Sequence, residues 1–181
     1  IVDRYSRFAK VGGEMISRAL AEQKIEGFFV WCGGETRTNL KIVDKVKGGN
    51  TDINEPGPQV GAGNLDELQR GCFKRLQSGD VLVLSGSVPP GVASDIYFAW
   101  VGEAKKNGVR TILDADGALL ESGIKAGPYL IKPNIHELER LAGRKLEDEQ
   151  ETAAFAEAIC RQYGIALAVI SLGERGALFV K

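Results

Sequence analysis

Tyr129-Leu130-Ile131-Lys132-Pro133-Asn134-Ile135-His136-Glu137-Leu138-Glu139 is the stretch that decides the fold. It opens as a short apolar run and stops at Pro133, whose ring nitrogen has no hydrogen to give to a sheet. Apolar residues then return at helical spacing, at Ile135, Leu138, Leu141 and Ala142. A strand therefore runs into a helix, with Lys132, Asn134 and Glu137 at the junction. Two readings of those three residues stand side by side. In one, Asn134 is an N-cap and Glu137, at the third helical position, completes a capping box. In the other, a cation, an amide and a carboxylate meet at the carboxyl end of a strand, where open parallel sheets bind ligands.

The same alternation extends outward on both sides. Residues 81–84 form a continuous apolar strand, and Ala93, Ile96, Tyr97, Trp100, Val101 and Ala104 form a helical stripe closed by Asn107-Gly108. A strand follows at 109–113 and a shorter helix at 118–124. Beyond the opening stretch, Thr152, Phe155, Ala156, Ile159 and Tyr163 mark an inward helix face. An apolar strand at 166–170 and a last strand at 177–180 complete the series. Repeated β-α-β units with fully apolar strands predict an α/β fold, a mostly parallel sheet with helices on both faces.

The first part of the chain reads differently. Met15, Ile16, Ala19 and Leu20 recur at helical spacing, and 28–31 is predicted to be a strand. Over 36–43 the residues alternate, with Thr38, Leu40 and Ile42 on one face and Arg37, Asn39 and Lys41 on the other. Lys47-Gly48-Gly49-Asn50 supplies a hairpin turn into 51–54, giving a small antiparallel sheet with one polar face. That face is either a solvated outer surface or part of a lid whose Arg37 holds an anion through bidentate hydrogen bonds. Pro56-Gly57-Pro58 closes the unit. The expected organisation is an α/β core from 1–27 and 57–181 with a small β lid at 28–56. Asn64 and Glu67 repeat the Asn-x-x-Glu capping pattern at the next helix. The glycines at 61 and 63 lack both the GxGxxG pattern and the Walker lysine, so that segment reads as an ordinary helix start.

Composition narrows the function classes. With 23 basic and 24 acidic residues among 181, there is no electrostatic footprint for nucleic acid. No apolar run reaches membrane-spanning length, and Ile1-Val2-Asp3-Arg4 does not resemble a signal peptide, so neither nucleic acid nor membrane is expected as a partner. Cys32, Cys72 and Cys160 are far apart and unpaired in pattern, which fits reduced core residues in a cytoplasmic protein. His136 is the only histidine, so no His-based metal site is available and a surface or supporting role is its default.

Four strand ends carry small, hydroxyl or charged residues: Ser85-Gly86-Ser87, Asp114-Ala115-Asp116, Lys132-Pro133-Asn134 and Ser171-Leu172-Gly173. Turn chemistry accounts for any one of them. A ligand crevice accounts for all four on one edge of a parallel sheet. Gly173 and Gly176 bracket a loop that brings backbone N–H groups close to phosphates or a purine, Lys132 adds positive charge, and Glu137 is placed to hold a hydrated Mg²⁺. Nucleotide-dependent phosphoryl transfer and a plain α/β binding domain both remain open on spacing alone.

Taken together, TRTNLK at 36–41, SGSVPPG at 85–91, KPN at 132–134 with Glu137, and SLGERGAL at 171–178 resemble the ribokinase-like sugar kinases of the PfkB family. Order and separation match from about Gly27 onward. TRTNLKI followed by TDINEPGP is typical of the branch acting on fructose 1-phosphate; the branches acting on tagatose 6-phosphate and fructose 6-phosphate are near neighbours. The resemblance implies ATP and Mg²⁺ as cofactors and a sugar phosphate as the other small-molecule partner. It implies substrate-phosphate contacts at Arg37 and Ser87, nucleotide-phosphate contacts at Lys132 and Asn134, and Mg²⁺ organised through water at Glu137. It also implies an ATP-binding loop at Ser171, Leu172, Gly173, Glu174, Arg175 and Gly176, and a homodimer formed through the β lid, as lids of this family often do.

Departures accompany the match. The family's N-terminal substrate-binding Asp, its GGKGxN segment and its GAGD segment, whose Asp is the catalytic base, are absent. Gly61-Ala62-Gly63-Asn64 has an amide where a base is needed, and an amide accepts no proton. No catalytic residue is therefore assigned, and the chain reads as an incomplete copy of a kinase, truncated or with gaps. The expected activity is conversion of fructose 1-phosphate to fructose 1,6-bisphosphate. Action on tagatose 6-phosphate or fructose 6-phosphate, or a catalytically inactive nucleotide-binding fragment, are the alternatives.

Overall fold

The computed structural model describes residues 10–34, 36–46 and 48–181. The readings of Ile1-Val2-Asp3-Arg4 and of Lys47 in the hairpin turn lie outside the described residues. The chain divides into two compact units, Ile1–Arg75 with Pro89–Val92, and Leu76–Val88 with Ala93–Lys181.

In the first unit, helix α1 spans Lys10–Glu22. Strands β1 (Asn39–Asp44) and β2 (Gly49–Asn54) pair antiparallel, Leu40 opposite Ile53 and Lys41 opposite Asp52. Alternation along a strand puts Leu40, Ile42 and Ile53 on one face and Lys41 and Asp52, 3.7 Å apart, on the other. All twelve residues are exposed, so the pair has no core of its own. The strand expected at 28–31 does not form: 25–32 has no regular structure, and no described strand offers it a ladder, although Val30 and Cys32 are buried. Helix α2 spans Ala62–Phe73 and starts on Gly61 without a side-chain cap. The cap expected at Asn64 is thus absent. The helix starts before it, so Asn64 lies inside the first turn, and its Nδ2 donates to the Trp31 carbonyl at 3.2 Å.

The second unit holds the main sheet. Its elements are β3 (Val81–Ser85), α3 (Ile96–Lys106), β4 (Arg110–Asp114), α4 (Gly117–Gly123), a 3-10 turn at Ile124–Ala126, β5 (Leu130–Ile131), α5 (Ile135–Ala142), α6 (Glu149–Tyr163), β6 (Leu167–Ser171) and β7 (Ala177–Val180). The strand order is β3-β4-β5-β6-β7, parallel from β3 to β6 with β7 antiparallel at the edge. Residues 172–176 are too few for a crossover, so the chain must turn back as a hairpin there. Apart from β7, every connection runs through a helix to the neighbouring strand. Right-handed crossovers taken repeatedly in one direction lay their helices on one face.

Burial follows that geometry. Leu84, Leu113, Ile131, Ala168, Ile170 and Val180 point to the helix side and join Tyr97, Val101, Leu120, Leu138, Ala156 and Ile159 in one core. On the opposite face Val81, Val83 and Phe179 are exposed. The α/β class, the mostly parallel sheet with its helices and the separate antiparallel pair are as the sequence leads one to expect; within the second unit, however, the helices cover one face and not both, because every crossover steps in the same direction. Among the described residues no helix is long and apolar enough to cross a membrane.

Gly127 closes the 3-10 turn at φ 66°, where an added Cβ would stand 2.5 Å from the Tyr163 carbonyl oxygen. Gly102, inside α3, has open space around the same position. Gly127→Ala is expected to lower stability by about 1–3 kcal/mol, and Gly102→Ala to raise it by up to about 1 kcal/mol. Urea unfolding of the two variants checks both signs.

Candidate functional site

Parallel pairing brings the carboxyl ends of β3 to β6 to one edge of the sheet. Ser85 lies opposite Asp114, Leu113 opposite Ile131, and Ile131 opposite Ala168. Past the strand ends the register continues: Lys132 N–H donates to the Leu113 carbonyl at 2.9 Å, Ser171 N–H to the Pro133 carbonyl at 3.0 Å, and Asn134 bridges to Ser171. Lys132 and Asn134 are therefore held beside Ser171 by backbone, before any side chain is considered.

β5 is two residues long because Pro133 cannot continue a ladder. Asn134 then caps α5. Its Oδ1 accepts from Glu137 N–H at 2.9 Å, and its own N–H donates to Glu137 Oε2 at 2.8 Å. A third bond, Asn134 Nδ2 to Glu137 Oε1 at 2.7 Å, ties the two side chains directly. The capping reading of the sequence is thus realised in full. It also fixes where the Glu137 carboxylate sits: each oxygen accepts one bond and keeps a second lone pair for another donor, including metal-bound water.

Lys132 does not stand alone. Its Nζ lies 3.1 Å from Asp114 Oδ1, while Asp114 Oδ2 accepts from Ser85 Oγ at 3.4 Å. Asp114 thereby links three strand ends. Both partners of the ion pair are partly exposed, so it orients Lys132 more than it stabilises the fold. Asp116 is turned to structural work, capping α4 through Gly117 N–H at 2.6 Å and pairing with Arg140. His136 is exposed, its Nδ1 3.4 Å from Glu139 Oε2.

The loop after β6 is a 3-10 turn, Gly173–Arg175, closed by Leu172 N–H to the Gly176 carbonyl at 2.8 Å. Gly173 and Gly176 have φ of 64° and 89°, and a Cβ at either would meet nothing within 4 Å. Backbone conformation, not crowding, calls for glycine here, and the bare backbone leaves room for a close-approaching group. Glu174 and Arg175 are exposed, Arg175 lying 3.7 Å from Glu149. Ser87 is exposed just past Gly86, which turns the chain at φ 86°. Arg37 belongs to the first unit, exposed ahead of β1, where the next residue, Thr38, donates its N–H to Glu55 at 2.8 Å.

Two participants escaped sequence reasoning. Asp114 was visible only as one polar strand end, with nothing to show its pairing with Lys132. Tyr97 read as part of an apolar helix stripe, yet its hydroxyl donates to the carbonyls of Ser85 and Gly86, 3.3 and 3.1 Å away.

A sequence profile described as pfkB family carbohydrate kinase matches residues 9–181. Among curated proteins, a 1-phosphofructokinase of Xanthomonas campestris pv. campestris is 41% identical over 152 residues, covering 82% of this chain and 48% of that protein. A 1-phosphofructokinase of Escherichia coli K12 is 37% identical over 160 residues, covering 88% of this chain and 51% of that one. Among solved structures, phosphofructokinase-2 of Escherichia coli in complex with substrates and products superposes with a TM-score of 0.86 at 30% identity, over 94% of this chain and 56% of that chain. The chain spans about half the length of the curated relatives it matches.

Asn134→Ala removes the cap acceptor and the tie to Glu137, and is expected to cost about 0.5–2 kcal/mol of stability. Asn134→Asp keeps the acceptor for Glu137 N–H but sets two carboxylates against each other. Its loss is expected to shrink as added salt screens the repulsion, while that of Asn134→Ala stays nearly constant. Thermal melts of the two variants at low and high salt check this.

Proposed function

The chain belongs to the pfkB family of carbohydrate kinases, and on that premise we propose that it carries the nucleotide and sugar-phosphate sites of an ATP-dependent kinase converting fructose 1-phosphate to fructose 1,6-bisphosphate in the cytoplasm. One observation carries the proposal: Lys132, Asn134 and Glu137 stand at a single strand-to-helix junction beside the open glycine loop at 173–176, in a chain 41% identical to a 1-phosphofructokinase.

The residues present suit a nucleoside triphosphate with Mg²⁺. A polyphosphate needs positive charge and backbone donors, offered by Lys132 and by the loop of Ser171, Leu172, Gly173, Glu174, Arg175 and Gly176. Among the described residues no group of three or more His, Cys, Asp or Glu is arranged to cage a metal. That suits Mg²⁺, which keeps several waters and is held largely by phosphate oxygens. Glu137 is the carboxylate that would accept from those waters. When bound, the metal nucleotide supplies the phosphoryl group and neutralises its charge.

The work of the chain in this reading is positioning and charge balance. Asn134 presents the Glu137 carboxylate in one orientation, and Asp114 holds the Lys132 ammonium at the sheet edge until phosphate oxygens share it. The resemblance of TRTNLK and SGSVPPG assigns Arg37, through its planar fork, and Ser87 each to the phosphate of the sugar. No base is assigned among these residues. The β1 and β2 pair serves as a lid, and its exposed Leu40, Ile42 and Ile53 pack against the same face of a second copy. A monomeric sedimentation coefficient at micromolar concentration would contradict that pairing.

Action on fructose 6-phosphate is the second reading, favoured by the superposition on phosphofructokinase-2, which another structure of that protein holds in complex with fructose-6-phosphate. Calorimetric titration with fructose 1-phosphate, fructose 6-phosphate and tagatose 6-phosphate, followed by ADP release, separates the substrates. Tightest binding of fructose 1-phosphate is expected, and indifference to all three would defeat the kinase reading. Arg37→Ala is expected to weaken sugar-phosphate binding about tenfold or more and leave ATP binding within about twofold; equal loss of both would remove Arg37 from the site.

A further inference from the structure

The turn after β3, which delivers Ser87, is held from two sides. Gly86 has no side chain to pack, and a Cβ added there would meet nothing within 4 Å. Its N–H donates to the Asp114 carbonyl at 2.8 Å, which fixes the turn from the β4 side. From the helix side comes Tyr97, the second residue of α3, a core residue only 8% exposed. α4 packs closely on that part of α3: a Cβ added at Gly123 would stand 3.5 Å from Tyr97 Cβ.

Phenylalanine would fill the same core volume, so packing does not account for the hydroxyl. Burying a hydroxyl is unfavourable unless it finds a partner. This one finds two, the carbonyls of Ser85 and Gly86, sharing one proton between them. Burial also pushes the phenol above its ordinary pKa, so the group stays a donor at neutral pH.

We infer that Tyr97 is a positioning residue for the sugar-phosphate side of the site: its hydroxyl locks the carbonyls of Ser85 and Gly86 and thereby sets the place from which Ser87 meets the substrate phosphate. The inference rests on the assignment of Ser87 proposed above. It adds a residue that touches no ligand and acts only through the turn. A displacement of about 1 Å at such a point is enough to cost as much as a hundredfold in a reaction that depends on positioning.

Tyr97→Phe tests it, because the ring and the core are kept and only the donor is lost. Backbone amide exchange over residues 85–88 is expected to quicken roughly five- to tenfold, as for loss of one hydrogen bond. Affinity for fructose 1-phosphate is expected to fall about tenfold while that for adenylyl-imidodiphosphate stays within about twofold. Combining Tyr97→Phe with Ser87→Ala should add little to the loss from Ser87→Ala alone, since both act at one contact. Unchanged exchange, equal loss of both ligands, unchanged sugar affinity, or fully additive losses would each overturn the inference. An unsubstituted chain that binds neither ligand would defeat the kinase reading, and this inference with it. Selective loss of the sugar in a chain that binds both ligands separates the two claims.

Discussion

Parallel pairing imposes one condition that the rest of the second unit obeys. Strands running the same way have their carboxyl ends on one edge, and each must be reached by a crossover that returns the chain to the opposite edge. From β3 to β6 the crossovers step to the next neighbour every time, so one helix-covered face and one polar edge arise together. The ladder continues past the strands through Lys132 N–H, Ser171 N–H and the bridge between Asn134 and Ser171. The backbone that builds the sheet thus also sets the spacing of the site.

On that edge, the structural roles and the proposed chemical ones fall on the same atoms. Asn134 and Glu137 form a complete capping box with a further side-chain bond, and α5 depends on it. Two of these hydrogen bonds end on the carboxylate oxygens and restrict it to one orientation, which suits the metal role proposed for it. Asp114 shows the complementary arrangement. It holds Lys132 by charge and Ser85 by a hydrogen bond, so a flexible ammonium is kept in place. Neither pair has to be remade for a ligand to arrive, because each leaves donor or acceptor capacity unused.

Much of this was legible in the sequence. The last strand was expected at 177–180 and is found there, and the strands expected at 81–84, 109–113 and 166–170 are each found within one residue. Continuous apolar runs bounded by turn residues are unambiguous when several recur with helices between them. The cap at Asn134 was legible because it is a local interaction over three residues. The strand expected at 28–31 failed because apolar character records burial, which Val30 and Cys32 do have, and says nothing of a partner strand. Asn64 failed as a cap because the helix starts at Ala62, before it, and its amide reaches instead to a distant carbonyl, that of Trp31. The links from Asp114 to Lys132 and from Tyr97 to Ser85 and Gly86 join elements separated in the chain, and no spacing rule encodes them.

The central claim is that the carboxyl edge of the sheet binds a nucleotide through the junction at 132–137 and the loop at 171–176. Photolabelling of the purified chain with 8-azido-ATP, followed by peptide mass spectrometry, tests it most directly. The account expects the label on peptides containing one or both of these segments, lost when excess ATP is present. Label confined to other segments, such as 39–54, or label that excess ATP does not remove, would contradict it.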